Sequence, residues 1–187
     1  MYIHDEHEDE PMNSNERMLW TGGHGVLLLL VLAGIAFVSG YWAILPALGP
    51  AAYLLVLDAH SSDNAPAKVA TSYGAALVIG WVAYQAIAQG IAPTTIEPMS
   101  EPGLRLVGSA LVAFAGTTTV FYILHTHQPM AFVAAFTTAI GALPTIQSLV
   151  VAVTAALFMA GIQAARRRYS PEFSSSPGQT NARLFEM

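Results

Sequence analysis

Apolar residues run in long blocks along this chain, and the polar ones gather between and beyond them. Four blocks are long enough to cross a bilayer as helices, which takes about 20 residues. They are Gly22–Leu45, Ala67–Ile91, Leu104–Leu124 and Thr145–Ala165. Trp20, Tyr41 and Trp42 stand near the ends of the first as interfacial anchors. Pro102-Gly103 opens the third, and Pro144 heads the fourth, a place where proline is tolerated. Two shorter apolar pieces remain. Ala51–Leu57 follows Pro46, Gly49 and Pro50, and Met130–Leu143 lies between Pro129 and Pro144. As helices they reach about 12–21 Å, short of a hydrocarbon core about 30 Å thick. The expectation is two half-helices, re-entrant or broken, packed inside the protein.

The two short pieces share a pattern. Ile44–Tyr53 aligns with Ile123–Phe132 at a constant offset of 79, with Ile, Leu, Pro and Ala coinciding and an aromatic at the end. The chain therefore reads as an all-α integral membrane protein built of two repeats of long helix, short helix, long helix. The expected layout is an acidic tail over 1–19, repeat one over 20–92, a connecting loop over 93–103 and repeat two over 104–165. A basic stop and a tail take up 166–187. Re-entrant short helices would give four spans and parallel repeats, while crossing ones would give six spans and inverted repeats. Both counts are even and put the two termini on one side.

Charge sharpens this reading. Hydrophobic residues make up 54% of the 187 and charged residues 10%, against about 25% charged in a soluble domain. Met18–Leu57, Val69–Ile96 and Leu106–Ala165 carry no Asp, Glu, Lys or Arg, so 59 residues hold all 19 charges. That distribution excludes a soluble enzyme domain, an acidic disordered protein and a nucleic-acid binder. Six acids in the first seventeen residues have the wrong sign for a secretory leader. Arg166, Arg167 and Arg168 directly after an apolar run point the C-terminus to the cytoplasm of a cell membrane, and the N-terminus with it. The absence of cysteine excludes disulfides and thiolate chemistry.

Short Pro-interrupted helices at matching places in two halves point to a transport site. The first turn of a helix carries unpaired N–H groups and a partial positive charge, and Pro50 and Pro129 suit such a turn. Two ends at Gly49-Pro50 and Gln128-Pro129 would attract an anion without a buried Lys or Arg. The breaks would equally serve as kinks in structural helices. His125-Thr126-His127 is the most polar cluster in the longest uncharged stretch. In a non-helical lead the two imidazoles would point the same way, free to donate to a solute or shuttle a proton. A seat at the membrane surface is the competing reading.

Other polar groups have plainer readings. Asp58, His60 and Asp63 suit a solvated loop or a vestibule, and His4 and His7 an exposed acidic tail. Gln85, Gln89 and Thr117-Thr118-Thr119 could line a polar path or join helices. Gly74, Gly80, Gly108, Gly116 and Gly161 suit close helix approach. No phosphate loop, His-Glu-x-x-His motif or nucleophile elbow occurs, so neither an enzyme, a cofactor nor a metal site is expected.

The stretch from His125 to Ala131 resembles the His-Pro-Pro motif that names the HPP family of integral membrane proteins. Ala47–Tyr53, then Pro66, then Ser72-Tyr73-Gly74, is similar to that family's other marked segment. Gln128 stands in place of the first proline, and Tyr73 where many members carry histidine. The resemblance covers roughly Gly23–Ala165. It implies a multi-pass transporter, and plastid and cyanobacterial relatives associated with nitrite suggest a small anion, with the bilayer as the other partner. Homo-oligomers are compatible with it. The alternative is a non-transporting scaffold or sensor whose tails bind partners.

Overall fold

In the computed structural model, residues 14–57 and 61–169 are described, and all of their regular structure is helical. Six α-helices follow in order: α1 Ser14–Ser39, α2 Ile44–Leu57, α3 Pro66–Ile87, α4 Glu101–Leu124, α5 Ala131–Ala139 and α6 Ile146–Tyr169. A single 3₁₀ turn, Pro93–Thr95, lies between α3 and α4. The acidic tail with His4 and His7, Asp58 and His60 in the α2–α3 loop, and the chain after Tyr169 lie outside the described residues.

Among the described residues, three helices are long and apolar enough to cross a membrane, over Gly22–Ser39, Glu101–Leu124 and Ile146–Arg168. The expected fourth span, α3, has the length but not the same apolarity. It carries Lys68, Tyr73, Tyr84 and Gln85. It also packs on α4, α5 and α6, and a helix enclosed by protein needs less apolar surface than one facing lipid.

Local chemistry sets the boundaries. Gly40 ends α1 with φ +76° and bonds back to the carbonyl of Ala36 at 2.8 Å, a left-handed stop that glycine takes without strain. α4 starts at Ser100, whose hydroxyl accepts the Gly103 amide at 3.3 Å. It stops at His125, which takes φ +49°. The Thr126 amide then reaches Phe121 O and the His125 amide reaches Tyr122 O, at 3.2 and 3.3 Å, the pairing of a Schellman cap. α5 ends the same way on Gly141, where Ala142 and Gly141 bond to Thr137 and Thr138. A side chain at 141 would also strike the Tyr84 ring, whose Cζ lies 2.9 Å from where its Cβ would stand.

The first short helix departs from expectation. The break falls at Gly40 rather than at Pro46–Pro50, and α2 runs through Pro50 as an interior residue. Pro46, in the first turn, loses no needed donor. Pro50 sacrifices only the bond that would have reached the Pro46 carbonyl. The aligned segments therefore fold differently: Ile44–Tyr53 is helical throughout, whereas Ile123–Phe132 ends α4, crosses a non-helical stretch and starts α5.

The contacts show that the helices alternate in direction. Gly49 of α2 faces Leu29 of α1, and Val56 lies against Gly25, so α2 runs back along α1. Ser72 meets Thr126, Gly80 meets Ala135, and Tyr84 meets Gly141, so α5 runs alongside α3 in the same direction. Gly116 abuts Ile79 and Gly108 abuts Ile87, which sets α4 antiparallel to α3. α3, from the expected first repeat, thus packs on the helices of the second. Buried alanines dominate the seams: Ala47, Ala51 and Ala52 on α2, and Ala131, Ala134 and Ala135 on α5. Small residues allow close backbone approach and dense van der Waals packing between helices. Gly80 and Gly116 are such contacts, but Gly74 and Gly161 face open space.

Candidate functional site

The α4–α5 junction holds four of the six expected site residues. From His125 to Pro129 the chain alternates: His125, His127 and Pro129 are exposed, while Thr126 and Gln128 are buried. Residues 126–128 are non-helical. Both imidazoles thus lie on the open side of the strand-like lead. Their roles differ. His125 is the left-handed cap residue, and its ring Nδ1 lies 3.1 Å from the Ile123 carbonyl. His127 faces a groove of about 450 Å³.

Thr118, Phe121 and Tyr122 of α4 form one wall of this groove, Thr126–Pro129 form its end, and Phe132 of α5 closes the other side. Phe132 packs against Phe121 edge-on, with ring centroids 5.3 Å apart, and against Phe114 at 5.0 Å. These contacts fix the groove's base. Its polar groups are few: the His127 imidazole, the Gln128 amide and the hydroxyls of Thr118, Tyr122 and Thr126.

The buried members hold the junction in place. Ser72 donates to the Thr126 hydroxyl at 3.3 Å. Gln128 donates to the Asn64 side chain at 3.0 Å and to the Asp63 carbonyl. Asp63 itself pairs with Lys68 at 3.0 Å. Gln128 therefore ties the start of α5 to the α2–α3 loop and has its amide donors engaged there. Nearby, Arg166 reaches the Leu55 and Val56 carbonyls at 3.4 Å, and Arg167 reaches Ser61 O. A guanidinium at the last carbonyls of α2 meets the negative end of that helix.

Gly49 and Pro50 are not part of this site. They lie midway along α2, whose N-terminus is at Ile44, beside the end of α1. The α5 N-terminus adjoins the loop that follows α2. The two N-termini therefore stand at opposite ends of an antiparallel pair, about 20 Å apart for a 14-residue helix. Between them lie Leu48, Ala51, Leu55, Ala131 and Ala134, buried and apolar. The amides of Ala131, Phe132 and Val133 are also occupied, bonding to Gln128, Pro129 and Met130 at 3.0–3.3 Å. Paired helix dipoles sharing one cavity do not occur among the described residues.

Sequence reasoning missed Phe121, Tyr122 and Phe132 in the groove, since apolar residues of a spanning helix carry no mark of which face they occupy. Of the threonine run, Thr118 lines the groove and Thr117 is buried. Thr119 bonds back to Ala115. Gln85 donates to the Pro144 carbonyl at 2.7 Å, so it joins helices. The hydroxyls of Tyr73 and Thr117 are buried without a hydrogen-bond partner among the described residues. No protein-family model, curated protein or solved structure matches this chain.

Proposed function

We propose that this chain is a multi-pass membrane transport protein for a small anion of nitrite-like size, and that solute meets it in the groove between α4 and α5. The observation that carries the reading is His127, exposed in a groove whose other polar groups are neutral hydroxyls and one engaged amide. Its ring can donate an N–H hydrogen bond to an anion without a buried Lys or Arg. The resemblance of 125–131 to the HPP motif supports the same reading. Gly25 lies against Val56 and Arg166 reaches the same turn of α2, which supports an even number of passes. With Arg166–Arg168 at one end, both termini then lie in the cytoplasm of a cell membrane.

The test is nitrite uptake into proteoliposomes of the full chain, corrected for protein-free liposomes, from pH 5 to 8. Wild-type flux should exceed the protein-free background, and His127→Ala should be slow because the anion loses its ring N–H donor. Equal flux for the two across the range would remove the histidine from the mechanism.

A second reading is favoured by the packed α2–α5 seam, which offers no polar route between those helices. In it the chain is a membrane scaffold whose tails bind partners. Removing residues 1–13 and 170–187 separates the two, since a transporter keeps its flux.

A further inference from the structure

A second groove borders the helix that carries Arg168. This groove, about 500 Å³, runs along the outer face of α6 and is lined by Thr154, Leu157, Phe158, Gly161, Ile162 and Ala165. Thr154, Phe158, Gly161 and Ala165 are spaced 4, 3 and 4 apart, one continuous stripe on a helix. Arg168 is the next residue on that stripe and is exposed. The other two arginines turn the other way, Arg166 to the end of α2 and Arg167 to Ser61. The triplet thus divides its work, with Arg166 tying α6 to the end of α2, Arg167 tying it to the loop after α2, and Arg168 left above an apolar channel.

The dimensions suit one acyl chain. From Thr154 to Ala165 is about 17 Å at 1.5 Å per residue, close to half of a hydrocarbon core about 30 Å thick. We infer that α6 holds an anionic phospholipid, with its acyl chain along Thr154–Ala165 and its phosphate at Arg168. Charge complementarity selects the lipid class: a cation at the head of a membrane groove favours an anionic headgroup over a zwitterionic one. Gly161 supplies the room, as nothing lies within 4 Å of where its side chain would stand. The inference rests on the membrane reading of α6 and not on any transported solute.

Native mass spectrometry of the full chain released from nanodiscs tests it, with phosphatidylglycerol and phosphatidylcholine supplied equally. The wild type should retain phosphatidylglycerol preferentially. Arg168→Gln should lower that preference about fivefold, the factor for about 1 kcal/mol per surface arginine. Gly161→Leu should fill the channel and lower retention of both lipids. Both positions are exposed, so circular dichroism and elution profile should match wild type. Equal retention of the two lipids by the wild type, or an unchanged preference in Arg168→Gln, overturns the site. So does a dimer that Gly161→Leu converts to monomer without altering lipid retention, because a second copy would then occupy the groove. Anion flux plays no part in these readouts, so failure here leaves the transport proposal standing and the reverse also holds.

Discussion

Replacing Gly80 with alanine tests the contact that seats α5, and with it the groove. A Cβ at position 80 would overlap the Thr138 hydroxyl and the Ala135 carbonyl oxygen, and would stand 2.9 Å from the Ala135 carbonyl carbon. The hydroxyl has little room to yield. It is folded back on its own helix, bonded to Ala134 O at 3.0 Å and Ala135 O at 2.9 Å. The carbonyl is α5 backbone, so α3 and α5 must separate. Overpacking of this kind costs about 1–3 kcal/mol, and a backbone obstacle puts Gly80→Ala near the top, at about 3 kcal/mol. Gly74→Ala in the same helix is the control. Nothing lies within 4 Å of its new methyl, and removing a glycine from a helix interior gains about 0.5–1 kcal/mol. Gly80→Ala shares that gain, so it cancels, and the two variants should differ by about 3 kcal/mol, or about 9 °C in melting temperature for a chain of this size. Thermal unfolding in mild detergent reads the difference. Melting within about 2 °C of each other would mean that α3 and α5 do not meet at Gly80.

Three further substitutions separate structural from solute-facing roles. His125→Gly should raise stability by about 1 kcal/mol, because glycine takes the left-handed cap freely. Nitrite flux should stay near wild type, and lost flux would return His125 to the transport site. Tyr73→Phe should be neutral or stabilising by about 1 kcal/mol, since it deletes a buried hydroxyl with no hydrogen-bond partner among the described residues. Destabilisation by that amount in unfolding assays would show the hydroxyl to be bonded. Gln128→Ala should cost about 2 kcal/mol, through the two hydrogen bonds it makes to Asp63 and Asn64. Hydrogen exchange should rise in the α2–α3 loop, and unchanged exchange there would dissolve the tether.

Hydropathy alone shows the six apolar segments, and three of them fold as helices long and apolar enough to cross a membrane. Helix ends marked by proline or charge were equally legible: Pro102, Pro144 and the arginines after Ala165 fall at or near real boundaries. The α1–α2 break was not, since a glycine taking a positive φ at position 40 outweighs three Pro and Gly residues that the helix tolerates. That error carried into the site. With Pro50 read as a helix start, the two N-termini seemed paired, whereas helix direction depends on packing partners that no local pattern records. Position 128 shows the same limit. Its side-chain amide was visible as a donor, but its target lies 64 and 65 residues away.

The absence of cysteine makes the central claim directly testable. Single cysteines at Thr118 and His127, and as control at exposed Val107, which the membrane reading turns to lipid, are treated with a membrane-impermeant thiol reagent in proteoliposomes. The groove reading predicts that Thr118→Cys and His127→Cys react, that modification blocks nitrite flux, that nitrite slows the reaction, and that Val107→Cys stays unreactive. Thr118→Cys and His127→Cys left unmodified, or modified with flux unchanged, would place the groove off the path of any solute.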